Sequence, residues 1–222
     1  MSEIFEVDPA QLREAVLAIS AAGEALARGH LVVFPTETVY GIAADPAIPG
    51  ATAPVFEAKQ RPARLTLPVL VTSSEVAWSF GERTQPAAAA AARFWPGPLT
   101  LVLRRTERSR PWDLGDERDT IGIRVPDHPI AQALLQPFGA LATTSANRSG
   151  EPPLMDREAL LAAFGDRVAV YLVLAHGAPH PGGTPSTVVA VTEDDLRILR
   201  PGRISEQDLR SALGGSGHRP TG

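Results

Sequence analysis

An α/β architecture with a mixed sheet is the fold class this sequence predicts, on three observations. Short apolar runs of strand length recur at 31–34, 67–71, 99–103, 120–125, 140–144, 168–174 and 186–191. Among them lie stretches with helical spacing, around 50–58, 84–94, 127–136 and 156–164. Two strand-like runs, 186–191 and 196–199, follow one another without a helix between, as antiparallel neighbours do. A single domain is expected, with helices flanking a twisted sheet of parallel and antiparallel strands.

Each element has its own signal. Asp8 as N-cap and Pro9 at the first helical position open a helix whose core face is Leu12, Val16, Ile19 and Leu26, and Gly29 stops it. Pro35 ends the strand at 31–34. Asp127 is expected to cap the helix that begins near Pro129, and Ser205 the last helix. From Gly214 the sequence GGSGHRPTG has no apolar residues to pack, so 214–222 reads as a flexible tail and 1–213 as the domain. A chain of 222 residues and 23.5 kDa is long enough for one self-supporting core, here built mainly from Ala, Val, Leu and Ile.

Composition removes whole classes of chemistry. With no cysteine, disulfides, thiolate nucleophiles and Cys-based metal centres are excluded. No stretch is long and apolar enough to span a bilayer and no basic leader precedes an apolar run, so a cytosolic chain is expected. A net charge of −4 and a pI near 5.7 argue against a general polyanion binder but allow a local basic pocket. Of the 21 basic residues a single one, Lys59, is lysine. Drift from Lys to Arg accounts for the excess of arginine; the lysine that persists marks a place where a compact ammonium is not replaceable by a planar fork.

Four loops carry more polar groups than turns need. Pro35-Thr36-Glu37-Thr38 follows a strand, where open α/β sheets bind ligands beyond the strand's C-terminal end; a capped turn leading to Gly41 is the plain alternative. Lys59-Gln60-Arg61-Pro62 puts two cations near a helix end, serving either the helix dipole or a polyphosphate. Thr143 to Gly150 is a dense run of hydroxyls and an amide, and Pro185-Ser186-Thr187 is followed by Arg200-Pro201-Gly202. Together they supply hydroxyls, an amide and fixed cations, with no nucleophile–base pair and no paired carboxylates. Asp127-His128 reads as a helix start rather than a dyad. Gly177 and Pro179 break the helix that would let His176 and His180 share a metal, so no metal ligands are expected. What remains suits an anionic substrate positioned and stabilised electrostatically, as in phosphoryl or nucleotidyl transfer.

Seven ordered blocks resemble the YrdC/Sua5 family of threonylcarbamoyl-AMP synthases: FPTETVYG (34–41), KQRP (59–62), FWPGPLTLVL (94–103), IGIRVPDHPIA (121–131), TTSANRSG (143–150), PSTVV (185–189) and ILRPG (198–202). The resemblance covers about residues 10–205 and implies a twisted mixed sheet around a concave, positively charged cavity. It implies formation of threonylcarbamoyl-AMP and pyrophosphate from L-threonine, bicarbonate and ATP, the nucleotidyl-transfer step toward threonylcarbamoyladenosine at position 37 of tRNA. By matching positions it places Thr38, Arg124, Ser145 and Ser186 around threonine, and Arg61, Thr120, Asn147 and Arg200 around ATP. Lys59 would lie against the phosphates or the carbamate, sharing the catalytic role with Arg61, as a partly solvated loop cation of little weight in folding. Mg²⁺ would travel with ATP, and the product would pass to the tRNA-transfer machinery. Where many members carry Asn-Pro and a later His, this chain has Leu65, Thr66 and Leu70, so contacts from that segment should differ. The chain resembles the short, single-domain type.

Two other readings compete. A non-catalytic RNA-binding module of the same fold is opposed by the acidic pI and by only two Tyr and three Trp for base stacking. A sugar-phosphate enzyme of related fold would require an acidic Mg²⁺ cluster, and Glu37 is the only carboxylate in the four loops before Glu151.

Overall fold

Ten strands form one open mixed sheet in the computed structural model, which describes residues 2–192 and 196–213. The tail expected at 214–222 lies outside the described residues. In chain order the strands are β1 (Glu3–Val7), β2 (Val32–Phe34), β3 (Gly41–Ala44), β4 (Val69–Val71), β5 (Leu99–Arg104), β6 (Thr120–Arg124), β7 (Ala140–Ser145), β8 (Val170–Leu174), β9 (Thr187–Val191) and β10 (Leu196–Arg200). Their order across the sheet is β1-β8-β2-β3-β7-β4-β6-β5-β9-β10. β8 runs parallel to β1 and β2, β4 to β6, and β5 to β9; the other neighbours are antiparallel. The helices are α1 (Val16–Ala27), α2 (Ala53–Lys59), α3 (Ser74–Phe80), α4 (Gln85–Phe94), α5 (Pro129–Leu135), α6 (Arg157–Phe164) and α7 (Glu206–Leu213).

Period-two alternation sends each strand's side chains to two different environments. On one face Leu99, Leu101, Leu103, Ile121 and Ile123 join the larger core, over which α2, α3 and α4 pack. On the other face Val32, Phe34, Leu141 and Leu172 form a second core beneath α1 and α5. That second face continues across Thr100, Gly122, Arg124 and Ser145, where a cavity lies instead of an apolar core. The site is thus the part of this sheet face that is polar.

The structure corrects several local expectations. Asp8 does cap, accepting from Ala10 N at 2.8 Å and from Gln11 Nε2 at 2.9 Å, but it caps a run of turns, and regular helix begins only at Val16. Leu12 and Val16 are exposed; the buried face is Ala15, Ala18, Ala22, Ala25 and Leu26, whose small side chains permit close packing on the sheet. At α5 the N-cap is His128, without a side-chain cap bond, rather than Asp127. Ser205 caps α7 as expected, its Oγ accepting from Asp208 N at 3.1 Å. Strands β1 and β3 and helix α3 were not expected. β3 is Gly-Ile-Ala-Ala, with little β-propensity, and pairs because both its flanks are occupied by β2 and β7.

Candidate functional site

The cavity encloses about 530 Å³, within the range of small-molecule sites. It lies on the sheet face and not, as expected, just beyond one strand end. Thr38, Arg61, Thr120, Arg124, Ser145, Ser186 and Arg200 all line it. Thr36, Thr143 and Thr144 of the polar loops line it too, as do Arg64, Thr100 and Glu117, which sequence reasoning did not select. A signal for part of this set was present: Thr120-x-Gly122-x-Arg124 and Thr143-x-Ser145 place polar or small residues at alternate strand positions, beside Ile121 and Ile123 facing the core.

The turn between β2 and β3 arranges its hydroxyls. Thr36 Oγ1 donates to Val39 O at 2.6 Å and accepts from the amides of Thr38 and Val39. The Thr36 and Thr38 hydroxyls stand 3.0 Å apart. With the Thr36 proton committed to Val39, Thr38 donates in that contact and keeps acceptor lone pairs for the cavity. Ser145 Oγ likewise spends its proton on Asn147 Oδ1 at 2.6 Å, and Ser186 Oγ lies 2.9 Å from Thr100 Oγ1.

Four arginines line the cavity; Arg64 is exposed, and the other three, Arg61, Arg124 and Arg200, have different partners. Gln60, in the left-handed region at φ 51°, ends α2 and sends Arg61 away from the helix. Arg61 donates to the carbonyls of Leu65 and Thr66, at 2.6 and 3.1 Å, so the segment that departs from the family pattern contributes backbone contacts. Leu70 lines the cavity with its side chain. Arg200 donates through Nη2 to Ser186 O at 2.8 Å. Arg124 donates through Nε to Gly97 O at 3.1 Å and through Nη2 to Glu37 Oε1 at 2.6 Å. Gly97 has no room for a side chain, because a Cβ would stand 2.6 Å from Phe94 O. Burial, then the neighbouring charge, lowers the pKa of Arg61 beside Arg200 and of Arg200 beside Arg124. Mutual repulsion of this kind is relieved by an anion.

Lys59 and Asn147 are not in the cavity wall but stand directly behind the turn that carries Ser145. Lys59 is 1% exposed and donates from Nζ to Ser145 O, Asn147 O and Asn147 Oδ1, all within 3.2 Å. Asn147 gives its amide protons to Arg148 O and Glu151 O. Both side chains are therefore consumed in building the turn that presents Ser145. Nor is Lys59 a partly solvated loop cation: it is the last residue of α2, and burial followed by the charge of Arg61 pulls its pKa down to about 7. Among the described residues no group of three or more His, Asp or Glu side chains is placed to hold a metal ion, and no helix is long and apolar enough to cross a membrane.

Known proteins resemble this chain in sequence and in fold. The Sua5/YciO/YrdC family model, described as telomere recombination, matches residues 24–202. A Mycobacterium tuberculosis protein provisionally named threonylcarbamoyl-AMP synthase is 40% identical over 219 residues, 96% of each chain. The threonylcarbamoyl-AMP synthase of Chromohalobacter salexigens is 35% identical over 179 residues, 80% of this chain and 94% of that one. Among solved structures, Pyrococcus abyssi Sua5 complexed with L-threonine superposes with a TM-score of 0.78 at 30% identity, covering 96% of this chain and 60% of that one. Escherichia coli YciO gives 0.81 at 25% identity, covering 94% and 100%. This chain thus spans about three-fifths of the Sua5 chain it matches.

Proposed function

Because the chain belongs to the Sua5/YciO/YrdC family, we propose that it is a threonylcarbamoyl-AMP synthase, acting on L-threonine, bicarbonate and ATP and releasing pyrophosphate. The observation that carries this reading is the convergence of Arg61, Arg124 and Arg200 with the hydroxyls of Thr38, Ser145 and Ser186 on one cavity. Such a site binds anions and reads a hydroxyl, chemistry that needs no covalent intermediate on the protein.

The unpaired edge of the Arg124 fork takes the amino-acid carboxylate, and the acceptor oxygens of Thr38 and Ser145, with Ser186, take the side-chain hydroxyl. Arg61, Arg200 and Thr120 face the triphosphate. Lys59 and Asn147 act from behind by fixing Ser145. The threonine amine bonds to the bicarbonate carbon with loss of water. A carbamate oxygen then bonds to the α-phosphorus as the bond to the bridging oxygen breaks and pyrophosphate leaves, a nucleotidyl transfer. Each charge-assisted bond that strengthens as these anions approach contributes roughly 1.5–3 kcal/mol. Mg²⁺ would be bound as the ATP complex, held mainly by phosphate and water, and Glu117 is the carboxylate in the cavity lining that would add an oxygen ligand. The product serves threonylcarbamoyladenosine formation on tRNA in the cytosol.

Pyrophosphate release measured with each reactant omitted in turn tests this. It should require L-threonine and bicarbonate together; release equally fast without threonine would show a plain ATPase and refute the proposal.

A further inference from the structure

Of the four arginines that line the cavity, Arg124 alone has a charged partner among the described residues. Arg61 and Arg200 bond to carbonyls and a hydroxyl, all uncharged. Arg124, 6% exposed, is ion-paired with Glu37 at 2.6 Å. Glu37 is not among the residues lining the cavity; one carboxylate oxygen pairs with the guanidinium, and the other, Oε2, is buried without a partner. Its backbone is pinned as well, with Glu37 O accepting from Gly182 N and Arg203 Nη1, both at 3.1 Å. Nearby His128 is buried, with Nδ1 also unpartnered. Burial pushes the imidazole's pKa down, against the opposing pull of Glu37 and Asp127.

This asymmetry divides a cationic cavity that must hold a polyphosphate and an amino acid at once. A buried guanidinium without a counter-charge seeks the most highly charged anion available, whereas one already compensated gains most from a single carboxylate at its free edge. Resting on the reading above, we propose that Glu37 is a specificity-determining residue: by pairing with Arg124 it reserves that arginine for the monoanionic carboxylate of the amino acid and leaves the polyphosphate to Arg61 and Arg200. Glu37 touches neither substrate and works through Arg124. Without its charge, Arg124 becomes part of the polyphosphate site, and the two ligands compete.

The test is equilibrium binding by calorimetry of pyrophosphate, with and without saturating L-threonine, to wild type, Glu37→Gln and Glu37→Asp. In wild type, threonine should leave pyrophosphate affinity unchanged. In Glu37→Gln, pyrophosphate should bind roughly ten-fold more tightly, the size expected for removing one charge at this range, and threonine should now weaken it. Glu37→Asp keeps the charge but withdraws it by one methylene, so the same shifts should appear at reduced size; it supplies the answer if the Gln variant does not fold. General structural damage would weaken both ligands together, and that result, or unchanged pyrophosphate affinity, overturns the proposal. Wild type that binds pyrophosphate but no threonine refutes the synthase reading instead, while tightening in Glu37→Gln still tests the division of charge.

Discussion

Replacing Lys59 tests whether this residue builds the site from behind. In Lys59→Ala the carbonyls of Ser145 and Asn147 lose their donor, inside a region where the lysine is 1% exposed. Each orphaned buried acceptor costs about 1–3 kcal/mol, partly offset because a charge no longer has to be buried. A net loss of about 3 kcal/mol is expected, which for a chain of this size lowers the melting temperature by about 10 °C. Turnover should fall at least about 100-fold, because displacing Ser145 misplaces the bound threonine relative to the reacting phosphate. Lys59→Arg should also suffer, since overfilling a packed site costs about 1–3 kcal/mol. The pH dependence adds a check of sign. With the folded pKa near 7 and the unfolded one at its ordinary 10.5, the unfolded chain binds more protons between these values. Lys59 therefore makes wild-type stability rise with pH across that window, and the variants should lack this contribution. Thermal unfolding from pH 6 to 10, beside turnover, decides the matter. A Lys59→Ala melting curve within a degree of wild type at every pH would refute the reasoning.

Gly202→Ala should impair the enzyme without touching substrate: a Cβ there would stand 2.4 Å from Ser186 C and Thr187 N, backbone atoms that cannot yield unless β10 shifts against β9. A lowered melting temperature together with a raised KM for ATP is expected, and normal values of both would show that this contact relaxes freely. Substrate choice offers a second check, because Thr38, Ser145 and Ser186 leave acceptors unpaired when the side-chain hydroxyl is missing. Serine should be used poorly and valine hardly at all in pyrophosphate release; equal turnover of valine and threonine would remove these residues from the reading of the hydroxyl.

Much of the architecture was legible because it rests on local patterns. The mixed sheet followed from adjacent strand-like runs, and seven of the nine nominated site residues line one cavity because their loops and strands carry polar groups that cores do not. What escaped depended on three-dimensional partners. An alanine stripe in α1 is indistinguishable in sequence from a helix resting on its larger residues, so Leu12 and Val16 were misassigned to the core. Lys59 stands out as the single lysine and Asn147 as the amide of a polar loop, but sequence cannot show that each one's hydrogen-bonding capacity is spent on the neighbouring turn. Glu37 was recognised as the lone loop carboxylate, yet its pairing with Arg124, 87 positions away, exists only once β2, β3 and β6 share a sheet.

The edge strand β1 pairs with a single neighbour, β8, which the ribosome makes more than 160 residues later. At roughly 5–20 residues per second, Glu3–Val7 emerges and waits about 10–30 s for its partner. An exposed strand of this kind invites pairing with other nascent chains, and the two carboxylates Glu3 and Glu6 act as gatekeepers during that interval. β9 and β10 are synthesised later still, yet they supply Val188, Leu199 and Arg200 to the cavity wall. A product terminated before β9 therefore lacks part of the cavity wall.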